Sequence, residues 1–267
     1  MENEHLLTDL KDGVLTLTMN QPAKLNALSD QMMQGLIENL RRANHDSEIG
    51  CIVLTGAGRG FCSGGDITAM RARNSGEGTP TTLEDGITRL RASEDVSLLL
   101  HEIQKITIAA VNGAATGAGL SIALACDLRI ASDAARFGTA FAKVGFSGDF
   151  GGTWSMTRLV GPMKARELYF LADIIGADEA YRVGLVNRVV PAATLMEEAG
   201  NLARRIAGGP RLAYRYMKAN LNASLTSDFR TLLDREAEGQ TLTGRTEDHR
   251  EAVKAFLEKR QPTFKGR

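Results

Sequence analysis

The stretch Ile106 to Asp127, ITIAAVNGAATGAGLSIALACD, joins an apolar strand, a turn of small residues and an apolar helix. Small residues let a ligand approach the backbone closely. A helix start presents N–H groups with no internal partner and carries partial positive charge. That combination suits a developing oxyanion. A tight turn in which glycine only relieves crowding would read the same way. The second chemical feature is acidic. No glutamate occurs between Glu102 and Glu167, so Asp127, Asp133 and Asp149 are the carboxylates of that interval. Asp127 directly follows the apolar helix and suits turn and cap hydrogen bonds. Asp133 lies in the polar turn Ser132-Asp133-Ala134 and reads as solvated. Asp149 stands among aromatics in Val144-Gly-Phe-Ser-Gly-Asp-Phe-Gly-Gly-Thr-Trp154, just before a helix. It reads either as the helix N-cap or as an acid–base group. Desolvation would raise its pKa and the helix start would lower it.

The elements that must position these groups follow from patterning. His5 to Leu10 and Gly13 to Met19 predict a hairpin around Lys11-Asp12-Gly13. Ser29 predicts an N-cap for a helix running to about His45. Cys51 to Leu54 and Ile106 to Val111 predict buried strands. Each is followed by a glycine-rich turn, an internal echo that suits successive turns of one superhelical unit. Arg71 to Asp85 is polar and rich in Gly, Ser and Thr, and predicts a mobile surface loop. A helix is expected from Leu83 to Gln104, and the pattern places short strands at Leu128–Ala131, Ala135–Gly138 and Leu185–Val190. A helix starting near Gly151 is expected to break at Gly161-Pro162. From Ala192 onward the pattern is helical. An α/β body over 1–191 with a C-terminal helical subdomain over 192–267 follows.

Composition excludes several classes. The 267 residues carry 32 basic and 32 acidic side chains, a net charge of +0, so bulk charge points to neither nucleic acid nor a membrane surface. No apolar run is long enough to span a bilayer. Cys51, Cys62 and Cys126 lack metal-site spacing, and they read as free thiols in a reducing compartment, the cytoplasm. No metal site is expected. Gly56-Ala-Gly58 and Gly117-Ala-Gly119 do not complete a dinucleotide fingerprint.

Asn20 to Leu28 (NQPAKLNAL), Val53 to Ile67 (VLTGAGRGFCSGGDI) and Ala109 to Gly119 (AAVNGAATGAG) resemble three successive signatures of the enoyl-CoA hydratase/isomerase (crotonase) superfamily. Arg158-Leu-Val-Gly161, Gly184-Leu-Val-Asn187 and the ending Ala255 to Phe264 are similar to its later landmarks. The resemblance implies a spiral of ββα turns capped by helices, assembled as a homotrimer or homohexamer. It implies an acyl-CoA thioester as substrate, with coenzyme A part of that substrate rather than a separate cofactor. The thioester enolate would be held by the N–H groups of Gly65 and Ala118. Coenzyme A would meet Lys24, Ala27, Ser63, Asp66 and Ile67, with Lys259, Phe264 and Lys265 from the tail, in some relatives from a neighbouring subunit.

Typical hydratases of the family use two glutamates, and the matching positions here are Ser121 and Phe141. Asp149 resembles the catalytic aspartate of other branches, in which a carboxylate moves a proton or attacks the substrate. The resulting expectation is a double-bond shift in an enoyl-CoA, with Asp149 as the acid–base group. The alternatives are hydration of a 2-enoyl-CoA by a non-standard site and a non-catalytic acyl-CoA-binding homologue.

Overall fold

The computed structural model describes residues 4–66, 71 and 82–267. Ile67 and most of the 71–85 segment therefore lie outside the described residues. The chain opens as the expected hairpin, β1 (Leu6–Lys11) and β2 (Val14–Met19). Asp12 and Gly13 both adopt positive φ at its tip, as a two-residue hairpin requires. Ser29 caps the helix Asp30–His45, its hydroxyl accepting from Met32 N–H at 3.2 Å.

Three pairs of strands then repeat one unit. They are β3 (Cys51–Gly56) with β4 (Gly60–Cys62), β5 (Ile106–Val111) with β6 (Ala114–Thr116), and β7 (Leu128–Ser132) with β8 (Arg136–Gly138). β3, β5 and β7 lie parallel in one sheet, and β4, β6 and β8 lie parallel in a second. The internal echo is thus a stack: each unit lays its strands beside those of the previous turn. β9 (Ile175–Gly176) joins the edge of the smaller sheet, and β10 (Arg188–Val190) the edge of the larger.

The two faces of the larger sheet explain its continuous apolar runs. Leu15, Ile52, Leu54, Ala109 and Val111 face the main core. Val14, Val53, Ile108, Ala110 and Ile130 face the other way, against Leu195, Ala199, Ala203 and Ala207. Strands covered on both sides lose the alternating polar pattern. The helix Leu195–Ala207, first of the expected C-terminal unit, therefore seals the body itself. The helices Arg211–Ser224, Phe229–Thr243 and Glu247–Leu257 follow it. Among the described residues no helix is long and apolar enough to cross a membrane.

One polar cluster ties the helical end to the sheet. Asp127 accepts from Thr107 N–H at 2.8 Å, Thr107 Oγ1 at 2.9 Å and Lys218 Nζ at 2.7 Å. Lys218 is buried and also donates to the carbonyls of Leu100 and Lys105. Asp127 is thereby a structural residue, as its position after the helix suggested.

Candidate active site

Two glycine-rich turns meet because β4 and β6 pair in parallel, with a register shift after Gly60 that sets Cys62 opposite Ala115. Thr116 Oγ1 donates to Ser63 O at 3.0 Å. Gly64 has φ +88°, and a Cβ there would stand 2.8 Å from Thr116 O and 3.3 Å from Ala118 N. A Cβ on Gly119 would collide with the Cys62 carbonyl. Glycine at these two positions is what lets the turns touch. Leu28 N–H donates to Gly64 O at 2.8 Å, pinning the first turn without using Gly65 N–H. Ala118 is the first residue of the helix Ala118–Ala125, after Gly117 at φ 54°. Its N–H has no intrahelical acceptor. That helix is buried on every side. Its far end is closed by the Arg129 guanidinium, which donates to Cys126 O at 2.6 Å and Leu124 O at 3.4 Å.

Gly65 and Ala118 line one cleft of about 570 Å³. Its described carboxylates are Asp30, Asp66 and Asp149. Asp30 is exposed in the first turn of its helix. Asp66 is paired with Lys24 at 2.8 Å. Asp149 is half-buried, and its Oδ1 is buried with no hydrogen-bond partner among the described residues. The cap reading of Asp149 does not hold. The helix Gly152–Leu171 has Gly151 at its N-cap and no side-chain cap. Asp149 contributes only its backbone carbonyl there, accepting from Gly152 N–H at 3.1 Å. Its side chain is left to the cleft.

Burial, and then the nearby Glu94 carboxylate, raise the Asp149 pKa to about 6. Desolvation is the larger of the two causes. Glu94 approaches the Asp149 loop from a distant part of the chain. It sits where the helix Leu83–Ser93 gives way to Asp95–Glu102, and its Oε1 accepts from Phe150 N–H at 3.0 Å. Nothing local in the sequence marks this contact across 56 residues.

The raised pKa has a consequence for stability. A carboxyl with a higher pKa folded than unfolded stabilises the fold fully below its unfolded value, and that stability is lost as pH rises through about 6. Asp149→Asn should therefore unfold about 1–2 kcal/mol less readily than wild type at pH 8, after solvent screening of a half-buried group. The difference should vanish below about pH 4. Denaturant melts at the two pH values check this; equal gains at both would contradict it.

Ser121 and Phe141 are both buried and line no part of the cleft. Ser121 Oγ donates to Gly117 O at 3.3 Å and is hydrogen-bonded with Tyr169, whose hydroxyl burial pushes up to about 12. Phe141 stacks on Tyr169 at 6.0 Å between ring centroids. A Cβ on Gly152 would collide with Ser121 Oγ and Tyr169 Oη, so Ser121 packs directly against the Gly152 backbone.

The other expected site residues divide into two groups. Lys24, Ala27, Ser63 and Asp66 adjoin the Gly65 turn. Ser63 N–H donates to Leu25 O at 2.9 Å, Ser63 Oγ donates to Lys24 O at 3.1 Å, and Ala27 is buried beside them. Lys259, Phe264 and Lys265 do not line this cleft. Lys265 and Gly266 donate their N–H groups to Asp248, and Lys265 borders a separate pocket with Ser47, Gly50 and Arg211. That pocket lies at the starting ends of β3 and β5. Burial raises the thiols of Cys51, Cys62 and Cys126 to about 12, which makes them packing groups. Among the described residues no cluster of three His, Cys, Asp or Glu side chains is placed to hold a metal.

A sequence profile of the family described as Enoyl-CoA hydratase/isomerase matches residues 9–267. The chain is 38% identical over 264 residues to 1,2-epoxyphenylacetyl-CoA isomerase of Escherichia coli, covering 99% of each chain. It is 38% identical over 262 residues to short-chain-enoyl-CoA hydratase of Clostridium acetobutylicum, covering 98% of this chain and 97% of that one. The crystal structure of enoyl-CoA hydratase from Bacillus anthracis superposes with a TM-score of 0.91 at 30% identity, covering 98% of this chain and 100% of that one.

Proposed function

The chain belongs to the enoyl-CoA hydratase/isomerase (crotonase) family, and from that membership we propose that it shifts a double bond within an enoyl-CoA. The observation that carries this reading is the Asp149 carboxyl. It has a buried oxygen with no hydrogen-bond partner among the described residues, in the cleft that also presents Gly65 and Ala118. In this reading the N–H groups of Gly65 and Ala118 donate to the thioester oxygen. Asp149 removes a proton from the carbon beside the carbonyl of a 3-enoyl-CoA. The electron pair delocalises into a dienolate whose charge rests on the held oxygen. Asp149 then returns the proton to the far carbon of the former double bond, giving the 2-enoyl-CoA. One carboxyl serves both transfers, and no separate cofactor takes part.

Met33, Leu90, Phe146 and Phe150 line the same cleft and suit an apolar or cyclic acyl group. Asp66 lines the cleft, and we assign it to coenzyme A together with Lys24, which pairs with it, and Ser63. A second reading is hydration, favoured by relatives named as hydratases. Product analysis separates the two. A 3-enoyl-CoA should be converted to its 2-enoyl isomer, whereas a 2-enoyl-CoA giving 3-hydroxyacyl-CoA without rearrangement would sink the isomerase reading.

We further propose a cytoplasmic homotrimer or homohexamer. Met163, Phe170, Phe229 and Phe256, all from the helix Gly152–Leu171 or the C-terminal helices, are each at least 75% exposed in the single chain and are available to a subunit contact. Sedimentation should give three or six times the chain mass; a monomer at micromolar concentration would contradict this.

A further inference from the structure

Asp149 reaches the cleft from a loop that turns through several left-handed residues, one of them not a glycine. Gly145, Gly148 and Gly151 have positive φ, and so does Phe150, at 51°. A bulky aromatic residue in that region is strained unless its surroundings fix it. The fixing contact is Glu94 Oε1, which accepts Phe150 N–H at 3.0 Å. Glu94 is itself anchored at a helix junction. Its N–H donates to Leu90 O at 3.0 Å, and its carbonyl accepts from Ser97 N–H at 3.0 Å. It makes no ion pair among the described residues and does not line the cleft.

We propose that Glu94 is the positioning residue for Asp149: by holding Phe150 N–H from behind, it sets the backbone that presents the Asp149 carboxyl to the cleft. The inference rests on the reading of Asp149 as the acid–base group. The same placement gives Glu94 a second effect. Its uncompensated charge behind a half-buried carboxyl favours a proton on Asp149, in the direction of the raised pKa. The other titratable or charged groups facing the site are Arg89, Asp30 and Asp66 across the cleft and Tyr169 from the helix Gly152–Leu171. Glu94 is the one that touches the Asp149 loop through its backbone.

Two substitutions separate the effects. Glu94→Gln keeps an oxygen acceptor for Phe150 N–H and removes the charge. Glu94→Ala removes both. The Asp149 titration is read by carboxyl carbon NMR as the signal absent from Asp149→Asn, which requires no turnover. The double-bond shift is followed alongside it across pH. Glu94→Gln should lower the Asp149 midpoint from about 6 toward the ordinary carboxylate range and keep kcat at pH 8. Glu94→Ala should lower kcat roughly 10- to 100-fold with little change in KM, the signature of a misplaced group. Wild-type titration and turnover in both variants would overturn the proposal. If Glu94→Ala fails to fold, the Glu94→Gln titration alone decides, and an unmoved midpoint counts against it. Full activity in Asp149→Asn would refute the acid–base reading, and the Glu94 titration would still show whether the two carboxyls are coupled.

Discussion

Asp149→Asn should lower the turnover of an enoyl-CoA double-bond shift on the order of 1,000-fold, while acyl-CoA binding is retained. Asparagine matches the carboxylate in shape but cannot accept and return a proton. Among the described residues no other carboxyl of the cleft stands ready to substitute. Asp66 is engaged by Lys24, Asp30 is exposed at a helix start, and Glu94 faces the back of the loop. The pH profile follows from the same group. Asp149 must be ionised to remove a proton, and burial beside Glu94 lifts its pKa to about 6. Activity should therefore fall as pH drops through about 6, and that acid limb should be missing from any residual activity of the variant. A general base with a pKa near neutrality is well matched to a proton that it must both take and give back. Retained turnover in Asp149→Asn would remove the basis of the mechanism.

Ala118→Pro should cost on the order of 100- to 1,000-fold in kcat, the usual loss for one oxyanion donor. Ala118 follows the N-cap Gly117 and is the first helical residue, the position where proline is best tolerated. The substitution deletes the N–H that we propose holds the thioester oxygen, and it removes no intrahelical hydrogen bond. Stability should consequently change far less than rate. Because the lost bond strengthens as charge develops, kcat and kcat/KM should fall together. Ala118→Gly keeps the N–H and serves as the control. A loss of less than about threefold in Ala118→Pro would show that the turn does not bear the negative charge.

Much of the framework was readable from the chain because it is local. Ser29 does cap its helix, and Ile106–Val111 is the strand that its apolar run announces. β4 and β6 were hidden inside the glycine-rich turns. They are three residues each and built from Gly, Ala, Phe, Cys and Thr, so neither period nor propensity marks them as strands. They exist because successive turns of the spiral stack. The helix expected from Leu83 to Gln104 divides at Glu94, and that division aims the side chain at Phe150. Asp149 could be read as cap or catalyst from its neighbours alone. The left-handed Phe150 and Gly151 move the cap position two residues downstream and leave the carboxyl unused by the helix. The emptiness of the glutamate positions was legible, but its physical reason was not. Ser121 packs there against Gly152 and Tyr169, which come from a different helix far along the chain.

The turn that follows Ile106–Val111 holds the thioester in this account, and Asp149 moves the proton. The most direct test is to incubate the wild-type protein with a 3-enoyl-CoA in heavy water and to locate deuterium in the product by mass spectrometry and NMR. Wild type should give a rearranged 2-enoyl-CoA carrying deuterium at the carbon that receives the proton, to the extent that the Asp149 proton exchanges with solvent. Asp149→Asn should give no rearranged product. Rearrangement that persists in Asp149→Asn, or a hydroxyacyl-CoA formed with no shift of the double bond, would contradict this mechanism.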